Sequence, residues 1–109
     1  MGYNVYVTRA DDWSRNEGAE ISGDEWLRLV HSDAELTIYA ANGRFFALWD
    51  GKSELVDPWI DWLAGNLYTK NPDRALLRKL LEIASRLGAR VQGDEGEEYL
   101  SEVKVGGIG

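Results

Sequence analysis

Hydrophobic and polar residues alternate in several short stretches of the chain, and this period of two predicts β-strands. Residues 3–9 show the alternation first, which indicates a strand with one buried face. Residues 35–40 alternate in the same way, and residues 44–49 form a dense apolar run. Asn42-Gly43 lies between these two segments and favours a tight reversal, so we expect a β-hairpin there.

The most informative stretch is residues 58–73, in which aromatic side chains, a turn and a helix start follow one another. Residues 59–63 and 67–70 predict two further strands. We expect them to be joined at Gly65-Asn66, because both residues tolerate the positive φ of a tight turn. These strands extend the predicted antiparallel sheet.

The first predicted helix covers residues 23–31. Ser22 precedes it, and Glu25 three positions later completes the sequence pattern of a capping box. His31 is the only histidine of the chain and lies at the C-terminal end of this helix, where it suits the helix dipole.

The second predicted helix covers residues 72–87, whose apolar residues recur with the 3.6-residue period of an amphipathic helix. Asn71 is the predicted N-cap, and Pro72 fits the first helical position because it has no N–H to lose. Gly88 is predicted to end the helix in the left-handed conformation.

The end of the chain completes the predicted fold. Residues 89–92 read as a strand, residues 93–100 as an acidic turn, and residues 99–105 as a segment that returns as a strand or frays. The order β-α-β-β-β-β-α-β predicts an α+β fold with a mostly antiparallel sheet and two helices packed on one face. We expect one domain over residues 1–105 and a disordered tail at 106–109.

Charge narrows the range of partners. The 109 residues include 12 basic and 19 acidic side chains, which gives a net charge of −7 at neutral pH. Such a surface repels nucleic acid and anionic membranes, so we expect neither as a partner, and it attracts basic proteins. The chain has no cysteine and no signal-peptide pattern, so we expect a cytoplasmic protein. Its oligomeric state is left open by the sequence.

Patterns that would carry catalysis are scarce. With one histidine and no phosphate-binding glycine motif, we predict no catalytic residue and no cofactor. What we call the acidic tip follows the last predicted strand and comprises Asp94, Glu95, Glu97 and Glu98. The acidic tip resembles a calcium loop in composition but lacks the EF-hand spacing, so we predict no metal site. A small-ligand or metal-dependent enzyme that uses Asp61 and these carboxylates remains an alternative.

Aromatic residues beside a carboxylate form the strongest candidate binding site. Trp59 and Trp62 face opposite sides if residues 59–63 form a regular strand, which exposes one of them unless helices and loops cover both faces. Asp61 shares the face of Trp59. It either points to solvent or is buried and paired with Arg44 or Lys70.

Three parts of the sequence resemble a family of small uncharacterised bacterial proteins. The first is I-S-x-x-E-W at residues 21–26, the second is W-x-D-W-x-x-G at 59–65 followed by K-N-P-D at 70–73, and the third is V-Q-G-D-x-G-E at 91–97. This resemblance implies no established activity. In size, acidity and α+β character the chain also resembles immunity proteins of bacterial toxin systems.

We therefore predict a small acidic bacterial protein-interaction module, plausible as an immunity-type inhibitor of a basic toxin domain. The alternative is a stand-alone structural or regulatory domain. The predicted binding residues are Trp59, Asp61, Trp62, Asp94, Glu95, Glu97, Glu98 and Tyr99.

Overall fold

The computed structural model describes residues 2–100 of the chain. These residues form seven strands and two helices: β1 Asn4–Thr8, α1 Gly23–Ser32, β2 Leu36–Ile38, β3 Ala47–Trp49, β4 Trp59–Leu63, β5 Asn66–Lys70, α2 Arg74–Leu87, β6 Arg90–Gly93 and β7 Glu98–Tyr99. The predicted tail at 106–109 lies outside the described residues, as does the predicted return strand beyond residue 100.

The strands form one sheet with the order β2-β3-β4-β5-β1-β6-β7, and every neighbouring pair is antiparallel. The run from β2 to β5 is a meander, as the alternating pattern predicts. β1 lies between β5 and β6, so Tyr6 is opposite both Tyr68 and Gln92. The predicted α+β fold is confirmed, and β7 adds one strand to the predicted order.

A single hydrophobic core lies between the sheet and the helices. It combines fully buried strand residues such as Val7 and Leu67 with Trp26 of α1 and Leu80 of α2. Because one core contains residues from both helices, both helices cover the same face of the sheet, as predicted. Within the described residues the opposite face carries no helix, and we call it the open face.

The start of α1 is fixed by the predicted capping box. Ser22 Oγ accepts a hydrogen bond from Glu25 N at 3.0 Å, and Ser22 N donates to Glu25 Oε1 at 2.9 Å. Arg9, just after β1, donates twice to the same carboxylate, at 2.9 and 2.6 Å. These hydrogen bonds, with that from Arg9 the strongest, lower the pKa of Glu25 to about 2.

The predicted start of α2 is wrong by two residues. Asp73 is the N-cap in place of Asn71, and its Oδ1 accepts from Leu76 N at 2.9 Å. Pro72 therefore precedes the helix. Asn71 has a φ of 46°, and its Oδ1 accepts from Tyr3 N at 2.9 Å, so it ties the end of β5 to the N-terminal segment instead.

Residues with positive φ set two further boundaries. Gly88 ends α2 with a φ of 63°, as predicted. Between β4 and β5 the turn residues are Ala64 and Gly65, with φ of 53° and 90°, so the predicted Gly65-Asn66 turn is one residue too late. Asn66 is instead the first residue of β5 and is 7% exposed.

Candidate functional site

The open face of the sheet carries a continuous row of aromatic rings. In spatial order, the rings of what we call the aromatic row belong to Trp13, Tyr6, Tyr68, Trp59 and Phe46. Successive ring centroids are 3.8, 6.4, 5.4 and 5.2 Å apart. All five residues are partly exposed. The row therefore gives the open face an apolar stripe that crosses β1, β5 and β4.

Trp13 reaches the row from the loop between β1 and α1, and buried amide side chains hold it there. Gln92 Oε1 accepts from Trp13 N at 2.9 Å, and Asn66 Nδ2 donates to Trp13 O at 2.9 Å. Gln92 Nε2 also donates to Asp11 O at 2.7 Å. The indole N–H of Trp13 donates to Asp94 O at 3.3 Å. The sheet thus fixes the position of the Trp13 ring.

Asp61 lies beside the row as a half-buried carboxylate. It is on β4, directly opposite Tyr68 of β5, and its Oδ1 accepts from Trp62 N at 2.8 Å. Burial raises the pKa of Asp61, and it forms no ion pair with a lysine or arginine of the described residues. Of the two alternatives for Asp61, the one in which it is buried and paired with Arg44 or Lys70 is therefore wrong.

Oxygen-bearing side chains continue from Asp61 across β5 and β1. Tyr68 lies opposite Asp61 on one side and Tyr6 on the other. Tyr6 Oη donates to Asp94 Oδ1 at 3.4 Å and accepts from Asn4 Nδ2 at 3.1 Å. Asn4 Oδ1 is buried without a hydrogen-bond partner among the residues described. We call these five residues the oxygen cluster.

Both phenols of the oxygen cluster stay protonated at neutral pH. Burial raises the pKa of Tyr68, and the charge of Asp61 raises it further. Burial also raises the pKa of Tyr6, to which the Asp94 carboxylate adds. Each phenol therefore offers one O–H donor and lone pairs that can accept.

A groove of about 470 Å³ opens onto the aromatic row. Its lining includes the rings of Tyr6, Trp13 and Tyr68, together with Leu63 near the β4–β5 turn and Lys70 at the end of β5. Lys70 is exposed and is the one cation among the described lining residues. The volume is within the range of small-ligand and side-chain pockets.

A second hollow, of about 680 Å³, lies at the other end of the row. Phe46 and Trp59 line it with Tyr39 and Val56, of which Tyr39 is 47% exposed and Val56 90%. Together with the rings of Phe46 and Trp59 they surround one hollow, and a contiguous exposed apolar patch is typical of a surface that binds other molecules.

The open face carries four of the predicted binding residues, in two groups that β5 and β1 separate in the sheet. Trp59 and Asp61 lie two positions apart on β4 and so share the face. Asp94 belongs to the oxygen cluster as well, through the hydrogen bond that it accepts from Tyr6 Oη. Glu98 lies opposite Gln92 on the same face, 3.8 Å from an Arg90 nitrogen. These four come from β4 and from the region around β6 and β7.

The other four predicted binding residues lie elsewhere. Trp62 is on the helix-covered side, where its indole N–H donates to Ile21 O at 2.8 Å, and Tyr99 packs against the core. Glu97 Oε1 accepts from Glu95 N at 3.1 Å within the turn after β6. The acidic tip is therefore divided between this turn and the open face.

The sequence patterns do not single out Tyr6, Tyr68 or Trp13 as site residues. The sequence does indicate on which face Tyr6 lies. Its neighbours Val5 and Val7 are apolar and face the core, and a strand sends alternate side chains to opposite faces, so Tyr6 lies on the other face. The adjacency of Tyr6 and Tyr68 depends on β1 lying beside β5, which no local pattern predicts.

Comparisons with known proteins were made at the levels of family, sequence and structure. No family model matches the chain, and neither a curated protein nor a solved structure matches it. Within residues 2–100, no three histidine, aspartate or glutamate side chains are grouped so that they could hold a metal ion. No helix in that part of the chain is long and apolar enough to cross a bilayer.

Proposed function

We propose that this chain is a protein-interaction module that binds a basic protein through its open face, as an immunity protein blocks a basic toxin domain. The observation that carries the proposal is the environment of Asp61. This carboxylate is half buried beside aromatic rings and has no cation of its own among the described residues. An unpaired, partly desolvated charge costs folding free energy, which a cationic group of a partner would recover.

The aromatic row supplies the apolar part of such an interface. Tryptophan and tyrosine are the residues that most often carry binding energy at protein interfaces, and Trp13, Tyr68 and Trp59 are all partly exposed. The row spans three inter-strand distances of about 4.8 Å, or roughly 14 Å, with a hollow near each end. Side chains of a partner can enter both hollows.

The charge of the whole chain favours the same class of partner. A net charge of −7 attracts basic proteins at long range and speeds their association at low salt. It also repels nucleic acid and anionic membranes. Binding is therefore expected to weaken as salt rises.

Affinity capture from a lysate of the source organism tests the proposal. The bait is the wild-type chain or one of two variants, each of which removes a single carboxylate charge with little change of shape. Asp61→Asn alters the open face, and Asp24→Asn alters the exposed first turn of α1 on the helix-covered side. We expect a basic protein to be retained by the wild type and by Asp24→Asn at low salt. Asp61→Asn should reduce its affinity about tenfold or more.

Thermal unfolding separates a lost contact from a misfolded bait. Because the charge of Asp61 is unpaired in the free protein, Asp61→Asn is expected to leave the melting temperature unchanged or to raise it slightly. Equal retention of the basic protein by the wild type and by Asp61→Asn would contradict the proposal.

A further inference from the structure

The oxygen cluster has more hydrogen-bond acceptors than donors. The carboxylates of Asp61 and Asp94 only accept. Asn4 Oδ1 also has no donor within the described residues, but it is buried and therefore is not part of the surface that a ligand contacts. No hydrogen bond within the described residues contributes to the raised pKa of the Tyr68 hydroxyl, which comes from burial and from the nearby Asp61 and Tyr6. The amide donor of Asn4 is already used on Tyr6. A ligand that matches this surplus carries several N–H groups and a positive charge.

Flat aromatic surfaces flank these acceptors. The rings of Tyr6 and Tyr68 are 6.4 Å apart between centroids and tilted by 33°, and Trp13 stacks on Tyr6 with an interplanar angle of 8°. All three rings line the groove of about 470 Å³. A planar cation over such rings gains attraction from the negative face of each ring.

We infer that the groove takes an arginine side chain of the basic partner. Its guanidinium lies over the rings of Tyr6 and Tyr68 and donates N–H groups to the two phenol oxygens. Asp61 does not line the groove itself, but it lies opposite Tyr68 at the border of the groove, where the same guanidinium reaches it. The inference rests on the proposed function and names the group that is recognised. Arginine matches the site better than lysine, because a guanidinium is planar, weakly hydrated and carries five N–H donors in a fixed fork.

Lys70 distinguishes a cation site from an anion site. It lines the groove opposite Asn4, and its aliphatic stem lies next to Gly2. For an arginine ligand the ammonium of Lys70 opposes binding, whereas for a carboxylate or phosphate ligand it would be the main attraction. The effect of Lys70→Met on affinity therefore has opposite signs for the two classes of ligand.

Two synthetic peptides of equal length and charge test the inference. One alternates glycine with arginine and the other glycine with lysine, and tryptophan fluorescence measures their dissociation constants at low salt. We expect the wild type to bind the arginine peptide roughly five- to tenfold more tightly than the lysine peptide. Lys70→Met should tighten binding of the arginine peptide by about two- to threefold.

Variants of the site remove the preference for arginine. Asp61→Asn and Tyr68→Leu should bring the ratio of the two dissociation constants close to one, and the control Asp24→Asn should keep the wild-type ratio. If Tyr68→Leu does not fold, Tyr68→Phe replaces it. That variant keeps the ring and loses the hydroxyl, so it should lower the ratio by a smaller factor.

The outcomes separate this inference from the proposed function. If the wild type captures a basic protein but binds both peptides equally or not at all, the arginine assignment is overturned and the proposed function stands. If Lys70→Met weakens binding of the arginine peptide, Lys70 does not oppose the ligand as a cation site requires, and the inference is overturned. If no basic protein is captured and neither peptide binds, both fail together.

Discussion

Two partly buried aspartates show how neighbouring residues decide the role of a carboxylate. Asp33, whose side chain is 7% exposed, accepts from Lys79 Nζ at 2.9 Å and from Arg86 Nη1 at 2.7 Å. Burial raises its pKa, but its hydrogen bonds, of which that from Lys79 is the strongest, outweigh burial and bring the pKa to about 2. Asp61 is partly buried but has no cation beside it among the described residues, so burial raises its pKa. The charge of Asp33 is therefore balanced inside the fold, and that of Asp61 is available to a partner.

Removing the cation beside Asp33 is expected to destabilise the protein. In Lys79→Met the side chain keeps most of its apolar length, but Asp33 is left with one cation and Glu35 loses its 2.9 Å ion pair. We expect the free energy of unfolding to fall by about 3 kcal/mol, as measured by urea denaturation. Arg28→Met, on the exposed side of α1, is the control and should change it by less than about 0.5 kcal/mol. A loss below about 1 kcal/mol for Lys79→Met would contradict the role given to this network.

At the scale of elements, local patterns predicted where helices and strands lie but missed one helix start. Asn71 and Asp73 are both of residue types that cap helices. Pro72 is compatible with either cap, because it can be the first helical residue after Asn71 or the residue that precedes Asp73. The side chain of Asn71 instead accepts a hydrogen bond from the backbone N–H of Tyr3, which lies 68 positions away in the sequence. Because that contact requires the assembled sheet, no local pattern could identify Asp73 as the cap.

The assigned cap predicts an order of stability between two variants. Asp73→Ala removes the acceptor for Leu76 N and also the acceptor for Ser53 Oγ, so we expect a loss of about 1–2 kcal/mol in the free energy of unfolding. Asn71→Gly keeps the positive φ and loses one exposed hydrogen bond, so its cost should be less than about 1 kcal/mol. Denaturant unfolding of the two variants gives the order. A larger loss of stability in Asn71→Gly than in Asp73→Ala would contradict the assignment of Asp73 as the N-cap.

At the scale of the whole molecule, the fold class was predictable and the site was mostly not. Alternation and helical periodicity act over a few residues, so they specify an α+β chain with a meander. Tyr6 and Asp94, by contrast, meet across 88 positions of sequence because β1 lies between β5 and β6. Asp61 was predicted as a binding residue, but its burial depends on Tyr68 of the neighbouring strand.

Five carboxylates of the described residues have a lowered pKa, and the two with large shifts, Glu25 and Asp33, make the stability of the protein depend on pH. Glu25 falls from 4.5 to about 2 and Asp33 from 3.8 to about 2 on folding. Because the folded values are the lower ones, this stability is present above about pH 5 and is lost as pH falls towards 2. Asp61, with a raised pKa, acts in the opposite direction and offsets part of the loss.

Urea unfolding at pH values between about 6 and 2 measures this dependence. We expect the free energy of unfolding to fall steadily below about pH 5. Glu25→Gln should make the slope shallower. Glu25 takes up its proton at a higher pH in the unfolded chain than in the folded chain, and the variant removes this contribution to the pH dependence. A slope that is unchanged in Glu25→Gln would contradict the role given to the ion pair with Arg9.

The five tryptophans allow the most direct test of the claim that the open face is the binding surface. Three indole N–H groups, those of Trp26, Trp49 and Trp62, donate to internal acceptors on the helix-covered side. The other two tryptophans, Trp13 and Trp59, belong to the aromatic row. A ¹⁵N–¹H spectrum recorded as the glycine–arginine peptide is added reports on all five indoles at once. We expect the signals of Trp13 and Trp59 to shift while the other three stay in place. Shifts confined to Trp26, Trp49 or Trp62 would contradict this claim.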